Sequence, residues 1–311
     1  MTTEHPQTLI TAAELQALML QGEPLVLLDC GFDLADPAAG ERVYQQGHLP
    51  QARYAHLDRD LSGTKTGHNG RHPLPPRSVL AQTLSRFGIT PNVQVVTYDD
   101  QAMPYAARAW WLLRWMGHTR VAVLDGGRAA WLRAGGTLVQ AVPTVNAQPS
   151  AAAPYPAAAT PGMPTISTEE LQALLGQPQL QLFDARAAER FTGEVEPLDP
   201  VAGHIPGATQ RFFKDNLGAD GCFKPAAALR SEFAALLAPS SSPETGEKAL
   251  VVQQCGSGVT ACHNLLAMAH AGWDATTLYP GSWSAWCSDP ARPMVRGPGP
   301  DIAAAAAAPK R

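Results

Sequence analysis

The sequence predicts an α/β protein in which one domain is written twice, each copy a small, mostly parallel sheet flanked by helices. Four stretches recur in the same order: LVLLDCG (25–31) returns as LQLFDAR (180–186), GHLPQA (47–52) as GHIPGA (203–208), VQVVTYDD (93–100) as ALVVQQCG (249–256), and LDGGRAAW (124–131) as LYPGSWSAW (278–286). The spacing agrees to within one residue, since Asp184 follows Asp29 by 155 positions, His204 follows His48 by 156 and Trp286 follows Trp131 by 155. Ordered matches at one offset indicate duplication. Within each copy, short apolar runs alternate with helical patterns, as in VQVV, PYAARAWWLLRWMG, RVAVLD and RAAWLRAGG. Strands separated by helices require crossovers, and therefore a mostly parallel sheet covered on both faces.

Along the chain, Thr11 and Glu14 form a capping-box pattern at the first helix. The first domain is expected over 1–140. A Pro- and Ala-rich stretch without apolar periodicity, 141–165, is expected to be an extended linker. The second domain follows over 166–300, and the alanine-rich 301–311 is expected to fray. A length of 311 residues suits two domains of about 150 each.

Composition narrows the partners. With 45% hydrophobic residues, 16% charged residues and a net charge of −4, the chain has material for packed cores and no large cationic surface for nucleic acid or anionic membrane. No apolar run reaches the ~18 residues of a membrane span, and the N-terminal segment lacks a cationic stretch followed by an apolar one, so a cytoplasmic protein is expected. The five cysteines (Cys30, Cys222, Cys255, Cys262, Cys287) form no CxxC pair and no zinc-finger spacing. We therefore expect reduced thiols, no metal and no cofactor.

Cys255 stands apart. It follows the strand pattern ALVVQQ and precedes a helix with apolar residues at Val259, Leu265, Leu266 and Met268 and a C-terminal Gly272. Open parallel sheets bind ligands at such strand ends. A thiol attacks as its thiolate, and the positive end of a helix stabilises that anion. Gly256 and Gly258 should let the loop curl, turning several N–H groups toward the sulfur, with the Thr260 hydroxyl at the helix start.

The motif CGSGVTAC, together with GHIPGA, DAR followed by ERFTGEVEP, and YPGSWSAW, resembles the tandem-domain rhodanese superfamily, most closely its 3-mercaptopyruvate sulfurtransferases. The resemblance spares only the linker and the tail. It implies that Cys255 takes a sulfur atom from a small-molecule donor, holds it as a persulfide within the loop Gly256, Ser257, Gly258, Val259 and Thr260, and passes it on. The acceptor would be cyanide or a thiol, thioredoxin among them. Asp99 stands in the first copy where Cys255 stands in the second. A carboxylate cannot carry a persulfide, so the first domain is expected to be inactive.

In the family, thiosulfate enzymes place Arg and Lys directly after the cysteine, whereas Gly256 and Ser257 match the neutral form associated with 3-mercaptopyruvate. By motif, Arg190 would bind the donor carboxylate, with Arg186 a second candidate that is otherwise structural, tied to Asp184 or Glu189. The segment GEVEPLDPVAGHI lacks the further arginine many such enzymes carry, leaving Arg114, Arg128 or Arg71 to compensate. Ser257 would act on the keto group with His72 and Asp60 of the first domain, putting the site between the domains. Asp184 and His204, repeated as Asp29 and His48, should be architectural, and Trp283 and Trp286 core. Cys262 is either a core residue or a redox partner of Cys255.

Other classes fit less well. Thiosulfate:cyanide transfer through the same persulfide is the alternative within the family. A cysteine-dependent phosphatase needs an arginine at position 261, which is Ala261. A non-catalytic rhodanese-like binding module would have no use for an intact cysteine loop.

Overall fold

The computed structural model describes residues 6–140, 154–237, 249–273 and 276–299. Positions 141–153 of the expected linker and the expected frayed tail, 301–311, lie outside the described residues. The chain forms two units: Met1–Gly63 with Leu74–Met163 and Leu217–Phe223, and Thr64–Pro73 with Pro164–Asn216 and Lys224–Arg311. Each unit thus includes a short stretch from the other half of the sequence.

The first unit runs β1 (Leu9–Ile10), α1 (Ala12–Gln21), β2 (Leu25–Asp29), α2 (Ala39–Gln46), β3 (Arg53–Tyr54), α3 (Leu57–Asp60), α4 (Arg77–Arg86), β4 (Gln94–Tyr98), α5 (Pro104–Trp115), β5 (Val121–Leu124) and α6 (Gly127–Arg133). Its sheet has the order β1-β5-β4-β2-β3, and every pairing is parallel. The capping box at Thr11 and Glu14 is formed. β4 and β5 are buried along their whole length, as expected of strands covered on both faces. α5 is apolar nearly all round and correspondingly buried, Trp110 and Trp111 included.

The second unit runs α7 (Thr168–Leu174), β6 (Leu180–Asp184), α8 (Ala188–Thr192), β7 (Thr209–Gln210), a 3-10 turn (Phe213–Asn216), α9 (Ala226–Leu236), β8 (Leu250–Gln254), α10 (Thr260–His270), β9 (Thr276–Leu278) and α11 (Ser282–Trp286). Its sheet order is β7-β6-β8-β9, again parallel, with Leu182 beside Val252 and Val252 beside Thr277. Where the first sheet carries β1, the second has a single parallel bridge, Thr165 to Leu278. α10 ends as its glycine suggests: Gly272 is left-handed at φ +81°, and the Trp273 and Gly272 N–H groups donate to the Met268 and Ala269 carbonyls.

The duplicated residues are architectural. His48 and His204 are fully buried, each with Nδ1 at 2.8 Å from a carbonyl (Tyr44, Phe191) and its ring stacked on that residue. Trp131 in one core, and Trp283 and Trp286 in the other, pack with residues of the sheets. Among the described residues no helix is long and apolar enough to cross a membrane.

Candidate active site

β8 delivers Cys255 to the carboxyl edge of the second sheet, immediately before the loop that leads into α10. The thiol is 2% exposed. Gly258 N–H donates to Cys255 Sγ at 3.2 Å, while the Cys255 N–H donates to Ser282 Oγ at 3.1 Å. Gly258 is left-handed, with φ +78°. Gly256 is not, so it is a glycine for want of space rather than for its φ. No side chain caps α10, Thr260 included, so the positive end of the helix meets the loop directly. The Cys262 thiol donates to the Gly258 carbonyl at 3.2 Å, inside the same turn.

The first unit displays what such a loop holds. At the equivalent position, Asp99 Oδ1 accepts from the N–H groups of Gln101 and Met103 at 2.9 and 2.8 Å, and Oδ2 from those of Tyr105 and Ala106 at 3.0 and 2.9 Å. Ala102, the counterpart of Gly258, has φ +70°. The turn in the first unit therefore cradles a carboxylate with four N–H groups, and in the second unit the Gly258 N–H makes the corresponding contact to the sulfur. Burial raises the Asp99 carboxyl to about 6, against the pull of these N–H groups.

The two expected arginines differ in use. Arg186 is 1% exposed at its side chain and committed to Asp184 (2.6–3.1 Å), Gly203 O (2.8 Å) and Glu196 (3.4 Å). Burial opposes its charge, but Asp184 and Glu196 hold its pKa above the ordinary arginine value. These contacts are the ones the structural alternative for Arg186 calls for, with the guanidinium bracing the end of β6. Arg190, on α8, is 18% exposed and pairs with Glu196 (2.8 Å) and Asp199 (3.3 Å). Its Nη1 comes within 3.3 Å of where a Cβ would stand at Gly256.

Arg71 belongs to the second unit, like Arg190. Its Nη2 lies 2.9 Å from the same point at Gly256, and its Nη1 pairs with Asp199. Arg114 and Arg128 belong to the first unit and face Gln7 and Asp100 there. His72 Nδ1 lies 2.7 Å from Ser257 Oγ, with both residues buried. Asp60 lies in the other unit, at the end of α3, where its carboxylate accepts from the His56 N–H at 2.9 Å and pairs with Arg86 at 3.3 Å.

Sequence reasoning missed Glu196, Asp199 and Ser282. The first two carried a signal, being acidic residues six and nine positions after Arg190. Ser282 had none beyond its place in LYPGSWSAW, the counterpart of LDGGRAAW. The arrangement suits a nucleophilic sulfur with anion stabilisation below it, guanidinium groups at one side and a hydroxyl–imidazole pair at the next residue.

Comparison with known proteins agrees with this chemistry. The rhodanese-like domain model matches residues 11–134 and again 167–289. A probable 3-mercaptopyruvate sulfurtransferase of Pseudomonas aeruginosa is 48% identical over 296 residues, covering 93% of this chain and 98% of that protein. A putative thiosulfate sulfurtransferase, SseB, of Mycobacterium tuberculosis is 41% identical over 300 residues, covering 94% and 98%. The crystal structure of SseA from Escherichia coli, described as a 3-mercaptopyruvate sulfotransferase, superposes with a TM-score of 0.71 at 26% identity, covering 89% of this chain and 99% of that one.

Proposed function

The chain belongs to the rhodanese family as a tandem-domain sulfurtransferase, and from that premise we propose that it moves sulfur from 3-mercaptopyruvate to a thiophilic acceptor through a Cys255 persulfide. The Cys255 thiolate attacks the donor sulfur. The carbon–sulfur bond breaks with its electron pair on carbon, giving the enolate of pyruvate, which then takes a proton. The persulfide remains in the loop of residues 256–260 until an acceptor thiolate or cyanide attacks its outer sulfur and releases Cys255.

The observation that carries the choice of donor is the 2.7 Å contact between His72 Nδ1 and Ser257 Oγ beside the nucleophile. An enolate leaving group needs a hydrogen-bond donor at its oxygen and a proton at its carbon. Thiosulfate departs as sulfite, which needs neither. Arg190 supports the same reading, since its guanidinium suits a planar carboxylate.

A second reading, thiosulfate as donor, is favoured by the two guanidinium groups beside Gly256, which would also suit a dianion. Side-by-side kinetics decide between them. We expect kcat/KM to be larger with 3-mercaptopyruvate, and a preference for thiosulfate would remove the proposed donor. Cys255→Ser should abolish transfer to cyanide from either donor. The acceptor in the cell is proposed to be a thiol, with thioredoxin a candidate, or cyanide, and the reaction to run in the cytoplasm, where five thiols stay reduced.

A further inference from the structure

We propose that Arg71 is the second donor-binding cation of this site, gripping the donor carboxylate jointly with Arg190, and that Asp199 is the residue that holds it in position; the inference rests on the mercaptopyruvate reading. Asp199 follows Arg190 by nine positions, in the segment that offers no second arginine. Its side chain is 3% exposed. Arg71 and Arg190 both pair with this one carboxylate, which sets their guanidinium groups side by side. Burial holds the Asp199 carboxyl above its ordinary range, with Glu196 adding to the rise, and the two arginines oppose it without reversing it.

Both guanidinium groups also reach the loop, Arg71 through Nη2 and Arg190 through Nη1, the nitrogens not paired with Asp199, and Arg190 also through Nη2, which is so paired. Arg71 Nη2 at 2.9 Å, and Arg190 Nη1 and Nη2 at 3.3 and 3.4 Å, surround the position a Cβ would take at Gly256. A side chain there would have to push both guanidinium groups aside. The glycine therefore serves to let two cations approach from outside the loop, where a thiosulfate-type loop would carry its cation on that residue.

The backbone that brings Arg71 is fastened. The Arg71 N–H donates to Ser284 Oγ at 3.1 Å. Gly70, at φ +87°, lies so close to the Gly281 carbonyl that a Cβ would stand 2.8 Å from it. The next residue is His72, bonded to Ser257. Two successive residues thus serve two successive loop positions: Arg71 supplies charge beside 256, and His72 supplies a proton partner at 257. At 25% exposure the Arg71 side chain meets an incoming solute, whereas Asp199 behind it does not. A carboxylate has lone pairs enough for two guanidinium forks.

The test uses the full chain and three proteins: wild type, Arg71→Lys, and the double variant Arg71→Ala/Asp199→Asn, which avoids leaving a buried carboxylate unpaired. Pyruvate, the product with the same carboxylate and keto group, is titrated for its protection of Cys255 against iodoacetamide. KM and kcat are measured with 3-mercaptopyruvate, and transfer from the preformed persulfide to dithiothreitol is followed in a single turnover. We expect the double variant to raise KM and the half-protecting pyruvate concentration about 10-fold, as loss of one charge-assisted contact does, while kcat changes less than about threefold. Arg71→Lys, which keeps charge without the fork, should fall between. The persulfide step to dithiothreitol should not change. A double variant that keeps wild-type KM and protection overturns the proposal, as does one whose loss is confined to kcat or folded fraction. If pyruvate does not protect even the wild type, the donor reading fails and takes this proposal with it; protection equal in wild type and variant overturns this proposal alone.

Discussion

Replacing Gly258 by alanine tests whether loop geometry sets the reactivity of Cys255. The left-handed φ of +78° costs an L-residue about 1–2 kcal/mol. That cost is bearable, because Ala102 carries φ +70° at the equivalent place in the first unit. What separates the two positions is space. A Cβ on Gly258 would stand 2.6 Å from the Pro280 carbonyl oxygen and 3.2 and 3.3 Å from two other Pro280 backbone atoms, none of which can swing away. Reaching an ordinary 3.4 Å contact requires a movement of about 0.8 Å. The Gly258 N–H donates to Cys255 Sγ at 3.2 Å, and a shift of that size breaks the contact. A hydrogen bond to a charged group is worth about 1.5–3 kcal/mol, so kcat/KM should fall about 10- to 100-fold. Unfolding should shift by about 4–8 °C for a ~2 kcal/mol loss. Gly207→Ala is the control, since it carries the same φ penalty (+80°) with nothing within 4 Å of its Cβ. It should cost about 1 kcal/mol and leave sulfur transfer at wild-type rate. If Gly258→Ala keeps kcat/KM within twofold and melts like Gly207→Ala, the cradle has no part in catalysis and the reasoning fails.

Three further outcomes are expected. Ser257→Ala and His72→Asn should each lower kcat with 3-mercaptopyruvate about 100-fold, and the double variant should be scarcely worse than either, because the pair acts as a unit; additive losses in steady-state kinetics would show independent roles. Arg186→Ala should destabilise the chain by about 3–5 kcal/mol through the uncompensated Asp184 in a denaturant titration, with KM of the remaining folded enzyme unchanged; a raised KM at unchanged stability would return Arg186 to the donor site. Asp99, raised by burial from 3.8 to about 6, binds its proton more tightly folded than unfolded. Its contribution to stability is therefore full below pH 3.8 and lost as pH rises through about 6. Relative to wild type, Asp99→Asn should gain stability as pH rises from 3.8 to about 6 in thermal melts, and a pH-independent difference would contradict the assignment.

The duplication, the parallel sheets and the cysteine loop are legible in the residues because each is encoded locally. Strand and helix periods, the left-handed glycines and the capping box at Thr11 depend on neighbours a few positions apart. His48 and His204 were readable as architecture because both copies kept them. Local encoding thins where the second sheet replaces β1 by a single bridge at Thr165, since an isolated pairing leaves no run of residues to detect.

The site is another matter. Motif resemblance placed Cys255, Ser257, Arg190 and His72 within reach of inference, but the contacts each makes are set by approach in space. His72 meets Ser257 across 185 positions, and Arg71 meets Asp199 across 128. No spacing encodes those meetings, because the chain from Thr64 to Pro73 belongs to the unit formed mainly by the other half of the sequence. How each arginine is engaged is equally a matter of packing: Arg186 and Arg190 stand four positions apart, and the first is buried against Asp184 and Gly203 while the second is part exposed. The sequence determined that this protein is a sulfurtransferase built of two duplicated domains, with a cysteine on the turn after a buried strand in the second copy. The tertiary structure decided which charges surround that cysteine, because charge at a site is a sum over whatever the fold brings near.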